Sequence, residues 1–222
     1  MDRLEYAAAH RQQYLDWCGA VERSPYRALD KLEFAIISAH CPMAAAISGW
    51  ENSRSLIEID DIANALDAAG VIAPRHKAAY IWAARTAVAD GRPLPHPDYR
   101  EYRETVKWNG LGYCKLSFAA CLIDPLGSDI ICLDTHMLQV YWGWRPTVRE
   151  VNTLYRNISD YSYIESLVVL EAAEVGLPPF VYQWAVWDWK RAKVDLIPPN
   201  PHDFLWKGGR REQQLALFSS LS

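Results

Sequence analysis

The chain has 222 residues, of which 50% are hydrophobic, and a formal net charge of −4. This length suits one large domain or two lobes around a shared core, and ten tryptophans and twelve tyrosines supply ample apolar surface to bury. The negative net charge does not by itself suggest a nucleic-acid-binding protein. A basic face on part of the surface is nevertheless compatible with a negative net charge.

Targeting segments and metal clusters are not indicated by the sequence. The N-terminal stretch is charged and lacks the apolar core of a signal peptide, and no apolar run approaches the roughly 20 residues that cross a bilayer. The cysteines are irregularly spaced without a CxxC pair, which argues against a zinc ribbon or an iron–sulfur cluster; they are Cys18, Cys41, Cys114, Cys121 and Cys132. We therefore expect a cytoplasmic protein with reduced thiols, no metal or other cofactor, no membrane association and no obligate protein partner.

Helical signals dominate the chain from its first third onwards. Asp30 is a good N-cap residue and Glu33 follows three places later, which predicts that a helix begins at Asp30 and ends before Pro42. Apolar periodicity and stop signals predict further helices over 60–69, 74–90, 99–108, 115–123, 134–142, 163–174 and 180–191. Residues 91–99 are typical of a loop, and 198–214 are typical of an irregular tail. Because no convincing strand alternation is present, the predicted class is all-α.

The stretch WNGLGYCKLSF, residues 108–118, places two glycines around a leucine between two predicted helices. Gly110 and Gly112 allow positive φ and a close backbone approach. The following helix begins with amides that lack intrahelical partners, and with the helix dipole they form an anion site suited to a DNA phosphate. A plain interhelical turn is the alternative for Gly-Leu-Gly taken alone.

An amine and a carboxylate follow this turn. Lys115 heads the apolar helix, and Asp134 stands nineteen positions later (134 − 115) within CLDTHM. Taken alone, Asp134 is a good helix N-cap and Lys115 a solvated lysine. The turn, the amine and the capped carboxylate together indicate an enzyme that acts on DNA bases.

This combination resembles the helix-hairpin-helix DNA glycosylase superfamily, which contains endonuclease III and the adenine-mismatch and 8-oxoguanine glycosylases. In that family a hairpin of the form LPGVGxK leads into the helix with the catalytic lysine, and an aspartate follows in a VDTH or VDVH stretch. Residues 30–192 follow the family order. The resemblance implies a two-lobed all-α fold, with a barrel lobe at 38–133, a second lobe formed by 1–37 and 134–222, and an active-site cleft between them.

The resemblance also implies roles for individual residues. Lys115 would attack the sugar C1′ to give a Schiff base, Asp134 would stabilise positive charge on the sugar or activate the nucleophile, and His40 would fill the hole left by the extruded base. Contacts to double-stranded DNA would come from Gly110, Leu111, Gly112, Lys107, Arg145, Arg149 and Lys190. The base pocket would include Trp108, Cys114, His136 and Trp187.

The chain departs from the family pattern at three positions. Lys115 lies one residue later than the family lysine, so that Cys114 stands at the usual place, although Ser117 keeps the small residue that follows the lysine. Asn109 replaces a proline before the turn, and Gln139 replaces an arginine.

The pattern also looks like a phage-encoded branch of the fold, which is associated with hypermodified thymines. A DNA glycosylase is therefore the first prediction, in a bacterial or phage-infected cell. A transferase that tailors a modified thymine is the second, and a non-catalytic DNA-binding helical module is the third.

Overall fold

The computed structural model describes residues 1–23, 26–95 and 98–192, with the side chains of 191 and 192 excepted. This part of the chain forms twelve α-helices and no β-strand, which confirms the predicted all-α class. The helices are α1 (Arg3–Ala9), α2 (Arg11–Glu22), α3 (Ala28–Ile37), α4 (Met43–Ser53), α5 (Ile59–Ala68), α6 (Pro74–Ala89), α7 (Tyr99–Thr105), α8 (Tyr113–Ile123), α9 (Thr135–Trp142), α10 (Val148–Arg156), α11 (Ile158–Glu174) and α12 (Pro179–Ala192).

The beginning of α3 differs from its prediction. The helix begins at Ala28, and the Asp30 carboxylate accepts a hydrogen bond from the Arg27 backbone N–H at 2.8 Å. Asp30 thus occupies the third helical position of a capping arrangement, and the predicted N-cap at Asp30 is wrong. Glu33 pairs with Arg85 of α6 at 2.7 Å instead of closing a capping box.

Two helices form the centre of the packing. α3 packs against α4, α6 and α8, and eight of the eleven α8 residues are buried. An apolar helix buried on all sides is expected at the centre of a helical protein. The packing groups α3 with the elements of the predicted barrel lobe, although the predicted boundary at 38 leaves it outside.

The second group of helices surrounds α12. This helix packs against α1, α2, α9 and α11, and α10 packs against α11. The N-terminal and C-terminal parts of the described chain therefore come together on one side, as a two-lobed fold requires. The exact division into lobes stays a prediction.

The predicted tail at 198–214, with its KGGRR stretch, lies outside the described residues. Within them, no helix combines the length and the apolar composition that a membrane span needs.

Candidate active site

The turn before α8 is built on Gly110. Its φ is +79°, in the left-handed region, and a Cβ added there would collide with the Tyr80 ring. The Leu111 N–H donates to the Trp108 carbonyl at 3.3 Å, which closes the turn. Gly112 is then the extended N-cap of α8 and offers no side chain to cap the first amides. The first amides of α8 therefore have no side-chain cap.

Lys115 is the third residue of α8, and its side chain is half-buried. Its Nζ donates to Ser38 Oγ at 3.2 Å and lies 4.9 Å from the centre of the Phe118 ring. Ser38 is the C-terminal cap of α3 and is buried. The amine is therefore oriented by a helix end that is 77 positions away in the sequence.

A second amine supports the same helix end. Lys77 is buried, and its Nζ donates to the carbonyl oxygens of Ile37 and Ala39, each at 2.7 Å. Burial lowers the pKa of Lys77, and the positive charge of Lys115 lowers it further. Because a cation at the C-terminal end of a helix satisfies open carbonyls and opposes the dipole, Lys77 stabilises the turn that carries Ser38.

Asp134 is the N-cap of α9, as predicted. Its Oδ1 accepts a hydrogen bond from the Met137 N–H at 2.9 Å. This bond fixes the carboxylate at the positive end of the helix dipole, where negative charge is stabilised. The carboxylate is half-buried and lines the cleft described below.

The segment 129–134, which leads to Asp134, has no regular secondary structure. Three consecutive amides before the aspartate each donate to a side chain of α11 or α12: Ile131 to Glu165 at 3.1 Å, Cys132 to Gln183 at 2.8 Å, and Leu133 to Tyr161 at 3.0 Å. Glu165 is fully buried and is itself held by Arg103 at 2.8 and 2.9 Å. Since buried amides must be paired, these side chains determine the path of the backbone into the site.

Lys115 and Asp134 line one cleft with a volume of about 850 Å³. Its wall includes the end of α3, the beginnings of α8 and α9, one side of α10, and Lys190 of α12. Three of its four formally charged residues are cations: Lys115, Arg145 and Lys190 stand against Asp134. The cleft is therefore locally basic although the chain carries a net charge of −4.

The cleft brings together seven of the residues predicted for the site. These are Lys115, Asp134, His40, Cys114, His136, Arg145 and Lys190. The hairpin lies beside them: Gly110 lines an adjoining cavity of about 340 Å³ that shares His40 and Ile72 with the cleft. Gly112 and Lys107 are exposed, whereas Leu111 is buried in the core.

The two predicted tryptophans occupy other places. Trp108 is 6% exposed, its Nε1 donates to the Tyr102 hydroxyl at 2.7 Å, and Arg92 covers its ring. Trp108 is thus a core residue that does not line the cleft. Trp187 lies behind the cleft wall, with its ring edge-on to His136 at 5.8 Å.

Arg149 faces away from the cleft. The side of α10 that carries Val151 and Tyr155 lines the cleft, whereas Arg149 and Thr153 line a separate cavity of about 690 Å³. A phosphate bound in the cleft would therefore meet Arg145 rather than Arg149.

Four contributors to the site carry no signal in the sequence. Ser38 and Lys77 act through contacts with residues far along the chain, and Tyr155 closes the wall by donating to the Leu133 carbonyl at 2.8 Å. Ile72 is 54% exposed at the mouth of the cleft, beside His40, whose φ is +52°. Non-glycine residues with positive φ are uncommon and concentrate at functional sites.

Comparison with known proteins gives structural matches only. No protein-family model matches the sequence, and no curated protein matches it. The 8-oxoguanine DNA glycosylase of Thermotoga maritima superposes with a TM-score of 0.64 at 16% identity, over 84% of this chain and 93% of that chain.

Two structures from Methanocaldococcus jannaschii agree with this match. Its 8-oxoguanine glycosylase/lyase, in complex with a 15mer DNA containing 8-oxoguanine, gives a TM-score of 0.65 at 16% identity, over 86% of this chain and 98% of that chain. Its 8-oxoguanine DNA glycosylase gives 0.63 at 18% identity, over 86% and 92%. The chain therefore has the two-lobed fold of the helix-hairpin-helix DNA glycosylases.

Proposed function

We propose that the protein is a DNA glycosylase that extrudes a damaged base from duplex DNA and cleaves its N-glycosidic bond, with a lysine-dependent lyase step. The observation that carries this proposal is that Lys115 and Asp134 line one basic cleft beside the hairpin turn. An amine and a carboxylate that line the same cleft are the groups that this reaction needs.

The chemistry follows from the positions of the two groups. The Lys115 amine, oriented by Ser38, attacks the sugar C1′. The C1′–N bond breaks, the base leaves with the electron pair and takes up a proton, and the new N–C1′ bond opens the sugar to a Schiff base. Positive charge develops on the sugar during this step, and the fixed carboxylate of Asp134 stabilises it.

The DNA would be held by two kinds of group. The free amides at the start of α8 suit one phosphate, and Arg145 and Lys190 add positive charge to the lining of the cleft. Extruding the base costs a few kcal/mol, which is least for a damaged or mispaired base. The exposed His40 and Ile72 lie at the mouth, where the duplex would be opened.

We propose 8-oxoguanine as the first base to test, because the three matching structures are 8-oxoguanine glycosylases. Identities of 16–18% support the fold and leave the base to experiment. The pocket itself contributes mixed chemistry, with Cys114, His136 and Gln139 on its wall.

The test is borohydride trapping on duplexes that carry 8-oxoguanine, uracil, 5-hydroxymethyluracil or an alkylated base, with mass spectrometry of the released nucleobases. The proposal predicts release of one of these bases and a covalent protein–DNA adduct that Lys115→Ala abolishes. Base release without an adduct would contradict the lyase step.

Two other outcomes would overturn the whole proposal. An altered thymine without base loss would establish a base-tailoring transferase. Salt-sensitive duplex binding that survives Lys115→Ala and Asp134→Asn, with no base changed, would establish a binding module.

A further inference from the structure

Two cysteine thiols are in direct contact beneath the cleft. The Sγ atoms of Cys114 and Cys132 lie 3.4 Å apart, and both residues are buried free cysteines. Cys114 precedes Lys115 in the first turn of α8, and Cys132 lies two residues before Asp134 in the segment 129–134. The pair therefore joins the two segments that carry the amine and the carboxylate.

One of the two thiols is reachable from outside. Cys114 lines the cleft although it is only 5% exposed, whereas Cys132 lies behind it. Cys18 and Cys121 are buried and do not line this cleft, and Cys41 lines its rim. A small reagent that enters the cleft therefore meets the pair at Cys114.

The surroundings favour ionisation of Cys114 before Cys132. The hydrogen bond with Cys132 lowers the pKa of the Cys114 thiol, burial opposes the shift, and the positive charge of Lys115 reinforces it. The same hydrogen bond, together with burial, raises the pKa of Cys132. Because thiolates are the reactive form of cysteine, the neighbouring Cys132 supplies a resolving thiol to a reactive Cys114.

We propose that Cys114 and Cys132 form a site of reversible oxidation by small hydroperoxides that enter the cleft. The Cys114 thiolate attacks the peroxide, the O–O bond breaks, and a sulfenic acid forms with release of an alcohol, or of water from hydrogen peroxide. The Cys132 thiol then attacks the sulfenic sulfur, the S–S bond forms, and water leaves. In total, two thiols and one hydroperoxide give one disulfide, one alcohol and one water.

Oxidation would move the site. A disulfide bond is about 2.05 Å long, so the sulfur atoms, now 3.4 Å apart, must come closer by about 1.4 Å. Because the two sulfur atoms belong to the segments that carry Lys115 and Asp134, we expect this closure to draw the start of α8 and the segment 129–134 together and to displace Lys115 relative to Asp134. Since a misplacement of about 1 Å reduces rates on the order of 100-fold, the oxidised protein should lose adduct formation and regain it on reduction. This consequence rests on the proposed function, whereas the oxidation itself does not.

The first experiment detects the disulfide bond between Cys114 and Cys132. The full-length protein is treated with hydrogen peroxide and its peptides are mapped by mass spectrometry without reduction. A cross-link between Cys114 and Cys132 that dithiothreitol removes is the expected result. Cys41→Ser should retain the cross-link, and Cys132→Ala should lose it and leave Cys114 as a sulfenic or sulfinic acid. Oxidation confined to Cys41, or two thiols that stay reduced, would overturn the proposal.

The second experiment measures the effect of the disulfide on adduct formation. It also distinguishes a failure of the oxidation site from a failure of the proposed glycosylase function. Adduct formation on a duplex that carries 8-oxoguanine, or on whichever of the four test bases the trapping experiment selects, should fall in proportion to the cross-linked fraction and return with dithiothreitol. A cross-linked protein of undiminished activity would overturn the switch. Duplex DNA added before the peroxide should slow cross-linking, because it covers the cleft. A cross-link that forms equally fast with duplex present would contradict DNA binding in the cleft while leaving the oxidation site established.

Discussion

The amine of Lys115 donates a hydrogen bond to the hydroxyl of Ser38, which lies 3.2 Å away at the C-terminal end of α3. Ser38 also donates to the Ala35 carbonyl at 3.0 Å, so its oxygen presents a lone pair to the lysine in a fixed position. Lys77 holds the adjoining carbonyls of Ile37 and Ala39. The proposed nucleophile on α8 is therefore positioned by α3, a helix that packs against α8.

Ser38→Ala should reduce the rate of adduct formation about fivefold, because it removes a hydrogen bond to the amine that is worth about 1 kcal/mol. The rate is measured by single-turnover borohydride trapping. Ser53→Ala is the matched control, since Ser53 is also buried near a helix end but does not line the cleft. Equal rates for Ser38→Ala and the unaltered protein would show that the contact does not orient Lys115.

Asp134 has two separable roles, as a helix cap and as a charge. Asn caps as well as Asp, so Asp134→Asn should keep the melting temperature while base release falls on the order of 100-fold or more. Asp134→Ala should lose activity and also about 1 kcal/mol of stability. Thr147→Ala, which removes the cap of α10 outside the cleft, should lose stability alone. Unchanged base release by Asp134→Asn would show that the carboxylate charge takes no part in the reaction.

The two hairpin glycines should respond differently to alanine. Gly110→Ala places a Cβ at positive φ and against the Tyr80 ring, so the variant should lose about 1–3 kcal/mol of stability. Gly112 has φ −76° and open space around its added Cβ, so Gly112→Ala should fold normally. Its Cβ would stand where a phosphate approaches the amides of α8, so duplex affinity should fall by severalfold in a fluorescence anisotropy titration. Full duplex affinity in Gly112→Ala would place the phosphate elsewhere.

Glu171 makes stability depend on pH in the acidic range. Its carboxylate joins α11 to α1, α9 and α12 through Arg3, Tyr141 and Tyr182, the two hydroxyls lying 2.6 and 2.7 Å away. Burial opposes ionisation, but these donors outweigh it and lower the pKa of Glu171. The contribution to stability is therefore complete above the unfolded-state pKa of about 4.3 and is lost as pH falls through the lower, folded-state value.

Urea unfolding of Glu171→Gln measures this effect. At pH 7 the variant should be less stable than the unaltered protein by on the order of 1–2 kcal/mol, and the difference should shrink below pH 4. A difference that is constant between pH 7 and pH 3 would show that the carboxylate charge is not involved.

The sequence predicts those parts of the fold that are governed by local rules. Gly70 ends α5 and Asp134 caps α9 because turn glycines and N-cap carboxylates act within a few residues. The error at Asp30 has the same origin, since an acidic residue is favoured both at the N-cap and at the third helical position. The N-cap of α3 is Arg27, a residue type that is not favoured at this position, so the sequence gives no local signal for where the helix begins.

The rest of the site depends on contacts that no local pattern records. The amides of Ile131, Cys132 and Leu133 are paired with side chains 28 to 51 positions away. The Lys115 amine is paired with a serine 77 positions away. The sequence predicts Trp108 in a base pocket, but its ring turns into the core towards Tyr102. Which side of a turn an aromatic ring faces is set by tertiary packing rather than by sequence distance.

The most direct test of the account is the identity of the lysine that forms the covalent adduct. The protein is trapped with borohydride on its substrate duplex, digested, and the modified peptide is sequenced by mass spectrometry. We predict that the adduct is on Lys115 and that Lys77→Met does not relocate it. An adduct on Lys77 or Lys190, the other amines near the cleft, would contradict the assignment of the nucleophile.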